Sequence, residues 1–230
     1  HLAGGEGADT INGEAGNDHI YGDSHFNVDI AIFVQDQINR LDNVSQLAQI
    51  NAMFTVPTTG AGGADTINGG TDDDIIFGDH GWIDTSGGFR SDDGIASQIG
   101  NILRAETINE TIGQADDLTG GAGKDILFGG VNTDQENTAI YGDILNGGSG
   151  DDILIGDLGV VHFSDGGIKA NDIFTRNSAL GDNDLLNGDG GNDIIMGGTG
   201  SDLVYGGDDH DIVIGDQGYV VRDADLNVLT

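Results

Sequence analysis

The sequence predicts an all-β repeat fold in which short strands alternate with glycine-rich turns. Three observations lead to this prediction: aspartates recur at nine-residue steps, glycines crowd the residues before them, and an aliphatic residue usually follows two positions later. Residues 7–13 and 63–69 share the same sequence, GADTING. Self-similarity at a fixed period is typical of repeat architectures, in which stacked units bury a continuous core.

The composition favours partners that carry positive charge. The 230 residues include 42 Gly and one Pro, and 40 Asp and Glu stand against 7 Lys and Arg, so the formal net charge is −33. A folded chain with this imbalance repels itself unless cations neutralise it, and it repels nucleic acids and anionic membranes too. We therefore expect binding of multivalent cations, no nucleic-acid binding and no membrane insertion. No apolar run approaches the roughly 18 residues of a membrane span.

The same composition argues against several other classes of protein. Glycine does not recur at every third position, which excludes collagen. Cysteine is absent, which excludes disulfides and thiolate metal sites. Disorder fits poorly, because 37% of the residues are hydrophobic and the acidic residues keep fixed spacings among them. The chain begins at His1 without a signal-peptide pattern, so we expect a processed piece or a fragment of a longer protein.

Each part of the nine-residue unit has a physical role. Glycines adopt positive φ angles, so a turn can point its carbonyl groups at one spot, where the aspartate adds a hard carboxylate oxygen. The residues that follow are extended, and the aliphatic one points inward. The predicted metal ligands are Asp9, Asp18, Asp65, Asp74, Asp116, Asp125, Asp134, Asp143, Asp152, Asp184, Asp193, Asp202 and Asp211. The predicted inward residues are Ile11, Ile20, Ile67, Ile76, Leu118, Leu127, Leu145, Leu154, Leu186, Ile195, Val204 and Val213.

The unit resembles the RTX family of glycine-rich repeats, written G-G-x-G-x-D-x-U-x, over about 13 copies. The resemblance implies a right-handed parallel β-roll (an RTX β-solenoid), in which two units complete one coil and several Ca²⁺ ions lie between stacked turns. Glu14, Asp72 and Asp209 replace glycine, and the unit at residues 138–146 keeps few glycines, so weak binding or ordered water is expected there. The resemblance also implies that aspartates two units apart share an ion, which pairs Asp116 with Asp134, Asp125 with Asp143, Asp134 with Asp152, Asp184 with Asp202, and Asp193 with Asp211.

The interruptions of the repeat divide the chain into roll segments and β-rich excursion loops. The roll segments are residues 1–23, 60–83, 111–161 and 179–218, and the excursions are residues 24–59, 84–110 and 162–178, with another beginning at 219–230. Residues 26–34 and 160–163 have β-rich patterning, and the apolar spacing of residues 35–54 permits a short amphipathic helix. We expect one elongated body in which short runs stack on their neighbours. Strands such as residues 126–128 are apolar on both faces, so we expect the excursions to cover them.

Roll segments end in a recurring Gly-Asp phrase, as at Gly22-Asp23. Asp79, Asp157 and Asp216, from the other three phrases, are predicted to be either calcium ligands or structural caps, and the sequence favours neither role. The six histidines share no metal-ligand spacing and are predicted to lie at the surface. Trp82 and the tyrosines at 21, 141, 205 and 219 are predicted to pack on strand faces rather than to stack on sugars.

The function predicted from these features is structural. No nucleophile elbow, P-loop or H-E-x-x-H motif occurs, so we predict that this chain is not an enzyme. Sites made of carbonyls and single carboxylates suit extracellular calcium levels, with dissociation constants of roughly 0.1–1 mM. We therefore predict a calcium-binding repeat region of a large secreted or cell-surface bacterial protein (an adhesin, matrix fibre or surface-layer component) that folds outside the cell.

The same residues leave other functions open. Resemblance to the RTX family implies export by a type I system, so the chain is alternatively the C-terminal export and folding module of a secreted hydrolase, protease or epimerase. The expected partners are calcium, other surface components and copies of the chain joined end to end into a filament. An ice-binding roll is a third option, which the small number of matching Thr and Asn residues disfavours.

Overall fold

The computed structural model describes residues 2–23, 62–85, 102–108, 111–132, 141–163, 172–176 and 179–222. The strand pattern predicted at 26–34 and the helix predicted at 35–54 lie outside these ranges. Within them the secondary structure consists of strands, with no helix. The strands are β1 (Leu2–Ala3), β2 (Thr10–Asn12), β3 (His19–Tyr21), β4 (Thr66–Thr71), β5 (Ile75–Phe77), β6 (Gly81–Thr85), β7 (Ile102–Thr107), β8 (Asp117–Ala122), β9 (Ile126–Phe128), β10 (Ile144–Ser149), β11 (Ile153–Ile155), β12 (Gly159–His162), β13 (Ile173–Thr175), β14 (Leu185–Gly190), β15 (Ile194–Met196), β16 (Leu203–Tyr205), β17 (Ile212–Ile214) and β18 (Tyr219–Val220).

Two parallel sheets form the roll. Sheet A has the strand order β1-β3-β5-β9-β11-β15-β17, and sheet B has the order β2-β4-β8-β10-β14-β16, so both follow the order of the chain. Each coil consists of one sheet B strand followed by one sheet A strand, as in β4 and β5. The strands on either side of an excursion pair directly, with Ile67 of β4 opposite Leu118 of β8. The repeat segments thus stack in one register across the excursions, in a parallel β-roll.

The predicted inward aliphatic residues form the core between sheets A and B. Successive coils place them directly opposite one another, as with Ile76, Leu127 and Leu154 in sheet A. Nine of the twelve are buried, and Ile11 and Val204 are partly buried against them. Val213 differs, because it lies on the last strand of sheet A and is 46% exposed. The prediction that these aliphatic residues point inward therefore holds for every strand that lies between two neighbouring coils.

A third, antiparallel sheet covers the outer face of sheet A. Sheet C has the strand order β6-β7-β12-β13-β18, and every one of its strands follows a Gly-Asp phrase or belongs to the return from an excursion. Its inward residues, such as Ile83, Val161 and Ile173, pack in one buried cluster with the outward residues of sheet A, such as Phe77 and Ile155. Sheet A is therefore apolar on both faces because it lies between two layers, as is usual for buried parallel sheets.

The second glycine of the phrase explains how the chain leaves the roll. Glycines 81, 159 and 218 lie directly against the last side chain of the preceding sheet A strand. A Cβ atom at Gly159 would lie only 2.7 Å from Cδ1 of Ile155, and one at Gly218 would lie 2.7 Å from Cγ2 of Ile214. Any side chain at these positions would clash, so glycine is required for the chain to turn back over sheet A and begin a strand of sheet C.

The aromatic residues divide between the layers. Tyr21 is 1% exposed, and its ring stacks on Phe77, whose centroid is 5.3 Å away; Phe77 stacks in turn on Phe128 at 4.8 Å. These three residues occupy the same place in successive coils, so the rings form a stacked column under sheet C. Tyr219 and Tyr205 remain largely exposed at 61% and 53%.

Two histidines contradict the expectation of surface positions. His19 and His80 are 6% and 4% exposed, because His19 lies in β3 beneath the outer layer and His80 lies in the turn between β5 and β6. Burial, followed by the effect of the chain's amino terminus, lowers the pKa of His19 to about 4, so this imidazole is neutral at pH 7. His210 is exposed, as predicted, and residues 1 and 25 lie outside the described ranges.

The outer face of sheet B carries no third layer among the described strands. Its register aligns two rows of side chains across the coils. One row is mostly polar and the other becomes apolar towards the end of the chain. The first consists of Asn12, Asn68, Thr119, Asn146, Asn187 and Tyr205, and the second of Thr10, Thr66, Asp117, Ile144, Leu185 and Leu203.

Candidate metal centre

The aspartates of the repeat form two ladders along opposite edges of the roll. In each ladder the backbone N–H of one aspartate donates a hydrogen bond to Oδ1 of the aspartate in the next coil, at 2.7–3.1 Å. The first ladder precedes the strands of sheet B, and the second precedes those of sheet A. The first ladder is Asp9, Asp65, Asp116, Asp143, Asp184 and Asp202, and the second is Asp18, Asp74, Asp125, Asp152, Asp193 and Asp211.

The ladders correct part of the predicted pairing. Asp184 and Asp202, and Asp193 and Asp211, lie in neighbouring coils of one ladder, where the expected pairing places them, and their sharing of an ion stays a prediction. The pairing of Asp125 with Asp143 is wrong, because Asp125 pairs with Asp152 in the second ladder, whereas Asp143 belongs to the first.

Asp116 is likewise bonded to Asp143, 27 residues away, rather than to Asp134. The extra length lies between the end of β9 at Phe128 and the start of β10 at Ile144. Asp134 itself lies outside the described residues, as does any pairing of it with Asp152.

The second carboxylate oxygen of most ladder aspartates is buried and has no hydrogen-bond partner within the described residues. This holds for Oδ2 of nine of the twelve, a set that includes Asp74, Asp125 and Asp193. A buried carboxylate oxygen without a donor costs free energy unless a cation or a proton compensates it. The orphaned oxygens all lie along the two turn edges of the roll.

These oxygens point into cradles that only glycine can form. A Cβ atom at Gly120 would lie 2.6 Å from Oδ2 of Asp125 and 2.6 Å from the carbonyl oxygen of Gly147 in the next coil. The same set recurs one coil later, where a Cβ at Gly147 would lie 2.6 Å from Oδ2 of Asp152. Each cradle thus brings a carboxylate of one coil and a carbonyl of the next to the same glycine.

The electrostatics of the calcium-free ladders are unfavourable for ionised carboxylates. Burial raises the pKa of Asp125 and Asp152 to about 7, and the neighbouring ladder carboxylates add to the effect. Burial, with Asp143 and Asp157 nearby, raises the pKa of Asp184 to about 10. The ion pairs recorded within the described ranges lie elsewhere, at Lys124–Asp151 and between Glu106 and two arginines.

A hard divalent cation fits this donor set. The cradles offer carboxylate and backbone carbonyl oxygens, which are the ligands that Ca²⁺ prefers, and its variable coordination number suits ligands supplied mostly by the backbone. No group of three or more His, Cys, Asp or Glu side chains with metal-binding geometry occurs in the described part of the chain. That is consistent with sites in which carbonyls supply most of the ligands.

The turns that lack consensus glycines also have positive φ angles. Glu14, Asp72 and Asp209 have φ angles of 71°, 75° and 74°, and Asp189 has 67°. These φ angles are positive, as they are at glycines in the other turns, but smaller than the glycine values, for instance 117° at Gly121. The replacement therefore strains the backbone locally without changing the path of the coil.

Three Gly-Asp aspartates are as deeply buried as the ladders. Asp23, Asp79 and Asp157 are 6%, 4% and 3% exposed, whereas Asp216 at the end of the roll is exposed. Each buried carboxylate accepts a backbone N–H from a later coil, from Gly63 to Asp23 at 2.8 Å, for example. At Asp79 and Asp157 these hydrogen bonds are compatible with the predicted structural cap, and the choice between cap and calcium ligand stays a prediction.

Comparison with known proteins agrees with this geometry. A family model described as "RTX calcium-binding nonapeptide repeat (4 copies)" matches residues 1–24, 59–82, 113–135, 140–160, 178–204 and 187–219. Searches of curated proteins and of solved structures found no match. The matched ranges cover more than half of the chain and include both ladders, and repeats of this family bind Ca²⁺, with several repeats implying several ions. The chain therefore belongs to the family of RTX calcium-binding nonapeptide repeat proteins.

Proposed function

We propose that this chain is a structural repeat region of a large secreted or cell-surface bacterial protein, and that it folds outside the cell when calcium binds. The observation that supports this most is the pair of continuous aspartate ladders, whose buried Oδ2 atoms lack donors within the described residues. The repeats themselves are calcium-binding structural units, and no catalytic constellation distinguishes any cluster of these carboxylates. We propose that the chain has no enzymatic activity of its own.

Coupling of folding to calcium follows from the balance of forces in one coil. Each coil contributes two aliphatic residues to the inner core, and this must offset the conformational entropy of about 18 residues at roughly 1–2 kcal/mol each. Without cations the folded state also brings buried carboxylates together along both edges. Ions bound only by the folded coil add their binding free energy to folding.

An extracellular location fits the expected affinity. Calcium sites built from carbonyls and single carboxylates bind at roughly 0.1–1 mM, which is the extracellular range. In the cytosol, where free calcium is scarce, such a chain would stay unfolded and suited to export. No helix in the described residues is long and apolar enough to cross a membrane. Among surface proteins, an adhesin, a matrix fibre or a surface-layer component would use a long calcium-stiffened roll.

End-to-end assembly is part of this proposal. Val213 and Tyr205, on the last strands of sheets A and B, are 46% and 53% exposed, and β17 and β16 have a strand partner on one side only among the described strands. Open strand edges with exposed apolar side chains favour pairing with another strand. We expect the occupant to be a further coil, either of the same chain or of a second copy.

A calcium titration followed by far-UV circular dichroism tests the proposed function. We expect a cooperative gain of β-structure near millimolar Ca²⁺ and none with Mg²⁺, which retains its waters and requires a regular octahedral site. A chain that is equally folded in chelator would contradict the coupling of folding to calcium.

The alternative is that the roll is the export and folding module of a secreted hydrolase, protease or epimerase. The complete sequence of the parent protein decides between the two: a catalytic domain favours the module, and further roll segments favour the structural protein. An ice-binding surface has less support, since one of the two exposed rows on sheet B contains Asp117, Ile144 and Leu185 instead of a polar ladder.

A further inference from the structure

The Gly-Asp aspartates depart from the rest of the repeat in a specific way. Asp79 and Asp157 occupy the place of the second glycine of a unit, directly after a sheet A strand. At the equivalent position of another unit, Gly130 has a φ angle of 127°. In the turns after sheet B strands the same position holds Glu14 and Asp189, which also have positive φ angles and whose side chains are exposed.

Asp79 and Asp157 are not left-handed, and their carboxylates turn into the protein. The repeat position alone therefore does not make an acidic side chain point inward. It does so at the points where the chain leaves the roll for an excursion.

Asp79 lies at the neck of the second excursion, where the chain leaves the roll. Its Oδ2 accepts the backbone N–H of Val131 at 2.7 Å and packs against the Cα of Gly130 in the next coil. Its Oδ1 is buried and has no hydrogen-bond partner within the described residues. The carboxylate of Asp79 and the carbonyl oxygen of Val131 converge on Gly113, the glycine through which the chain re-enters the roll.

Asp157 repeats this arrangement at the neck of the next excursion. A Cβ atom at Gly181, the re-entry glycine, would lie 2.5 Å from Oδ2 of Asp157 and 2.6 Å from the carbonyl oxygen of Thr199. The backbone N–H of Thr199 donates to the same carboxylate oxygen. Glycine, carboxylate and next-coil carbonyl also meet in a ladder cradle, such as that of Gly120, Asp125 and Gly147. The two differ in one respect: Oδ2 of Asp125 has no donor within the described residues, whereas Oδ2 of Asp157 accepts the Thr199 N–H.

The necks, like the ladder cradles, bring several carboxylates close together. The carboxylate of Asp79 contacts that of Asp23 in the preceding coil and lies near Asp116 and Asp143 of the first ladder. Asp157 likewise lies near Asp143 and Asp202. A carboxylate that is about 4% exposed among other carboxylates requires a positive charge or a proton nearby.

We propose that Asp79 and Asp157 each bind a further divalent cation at the neck of an excursion, in addition to the ions held by the nine-residue repeats. The ligands from this chain are the aspartate carboxylate together with the Val131 or Thr199 carbonyl. The ions tie sheet C to the roll at the points where its strands begin.

This inference requires only that the roll binds calcium, whatever parent protein it belongs to. It is tested by counting ions bound to the complete chain, with the fold monitored separately. The variants are Asp79→Asn, Asp157→Asn and the double variant. Asparagine keeps an oxygen that can accept the capping N–H, so a purely capping role would survive the change. Asp189→Asn is the matched control, since Asp189 occupies the same repeat position with an exposed side chain.

The ion count comes from equilibrium dialysis against Ca²⁺ followed by metal analysis, on samples shown by circular dichroism to be folded. We expect each single variant to bind one Ca²⁺ fewer than the unmodified chain, the double variant two fewer, and Asp189→Asn the same number.

An unchanged count in Asp79→Asn and Asp157→Asn would overturn the proposal, even if affinity fell, because the aspartates would then be caps or share ions of the ladder. If the asparagine variants do not fold in calcium, Asp79→Gly and Asp157→Gly replace them. Glycine restores the residue found at Gly130 and Gly198, where the coil is intact. The same loss of ions is expected from these variants, and an unchanged count would again refute the neck sites.

Discussion

Replacing Asp152 by asparagine should change stability in opposite directions with and without calcium. Asp152 is 1% exposed and lies in the middle of the second ladder, where its Oδ1 accepts the N–H of Asp125 at 2.8 Å. Asparagine can keep that hydrogen bond through its own carbonyl oxygen. The change therefore removes the buried negative charge and leaves the ladder bonded.

The magnitude follows from the pKa of Asp152, which burial and the neighbouring Asp193 raise to about 7 from 3.8. At 1.36 kcal/mol per pKa unit, ionising this group in the calcium-free roll costs about 4 kcal/mol at most, and solvent relaxation reduces this to about 2–4 kcal/mol. In chelator at pH 8 the variant should thus be more folded than the unmodified chain. In calcium it should be less stable, because one site has lost its charged ligand.

Far-UV circular dichroism in chelator and urea unfolding in 10 mM Ca²⁺ measure the two effects. The control is Asp151→Asn at the adjacent position, because Asp151 is exposed and pairs at the surface with Lys124. Exposed ion pairs contribute about 0–1 kcal/mol, so this control should change little in either condition. Destabilisation of Asp152→Asn in both conditions, or equal effects of the two variants, would refute the electrostatic account of the ladders.

Three further predictions concern the calcium-free chain, the core and the turns. Ladder carboxylates such as Asp125, with a pKa raised to about 7, favour folding fully below their unfolded pKa of 3.8 and lose this contribution as the pH rises through 7. Acidifying the chain from pH 8 to 5 in chelator should therefore increase its β-structure by circular dichroism, and a decrease would contradict this. Leu127→Ala should lower the free energy of unfolding in calcium by about 2–5 kcal/mol, because Leu127 is fully buried between neighbouring coils. Leu203→Ala should lower the free energy of unfolding clearly less, because Leu203 lies on the last strand of sheet B and is 36% exposed. Similar losses for the two variants in urea unfolding would refute the stacked core. Glu14→Gly should stabilise the calcium-bound roll by about 1 kcal/mol because it relieves a left-handed φ of 71°, whereas Glu6→Gly, where the φ angle is not positive, should give no gain.

Much of the single coil could be predicted from the sequence because its determinants are local. Glycine freedom, aspartate position and the inward aliphatic residue all lie within nine residues, so the pattern predicted Ile76, Leu127 and Leu154 as core. The same local rule placed the ladder aspartates at the turns, while the resemblance to the RTX family implied the pairing of Asp184 with Asp202. Where the units follow each other without interruption, two aspartates that are 18 residues apart occupy the same place in neighbouring coils.

That relation fails wherever the chain leaves the roll. Asp116 pairs with Asp143 instead of Asp134, because the segment between β9 and β10 is longer than one turn. The aspartates in the sequence nevertheless keep their nine-residue spacing through this segment. The nine-residue pattern records spacing along the chain, whereas a ladder depends on which coil lies next in space.

The burial of His19, the inward turn of Asp79 and the assembly of sheet C also depended on the tertiary structure. Sheet C joins strands from separate excursions, and its register places residues up to 58 positions apart opposite each other, such as His162 and Arg104. The sequence by itself determined the unit, the metal chemistry and the inner core. Only the tertiary structure decided which aspartates meet and which faces are covered, because those depend on contacts between segments that no local pattern encodes.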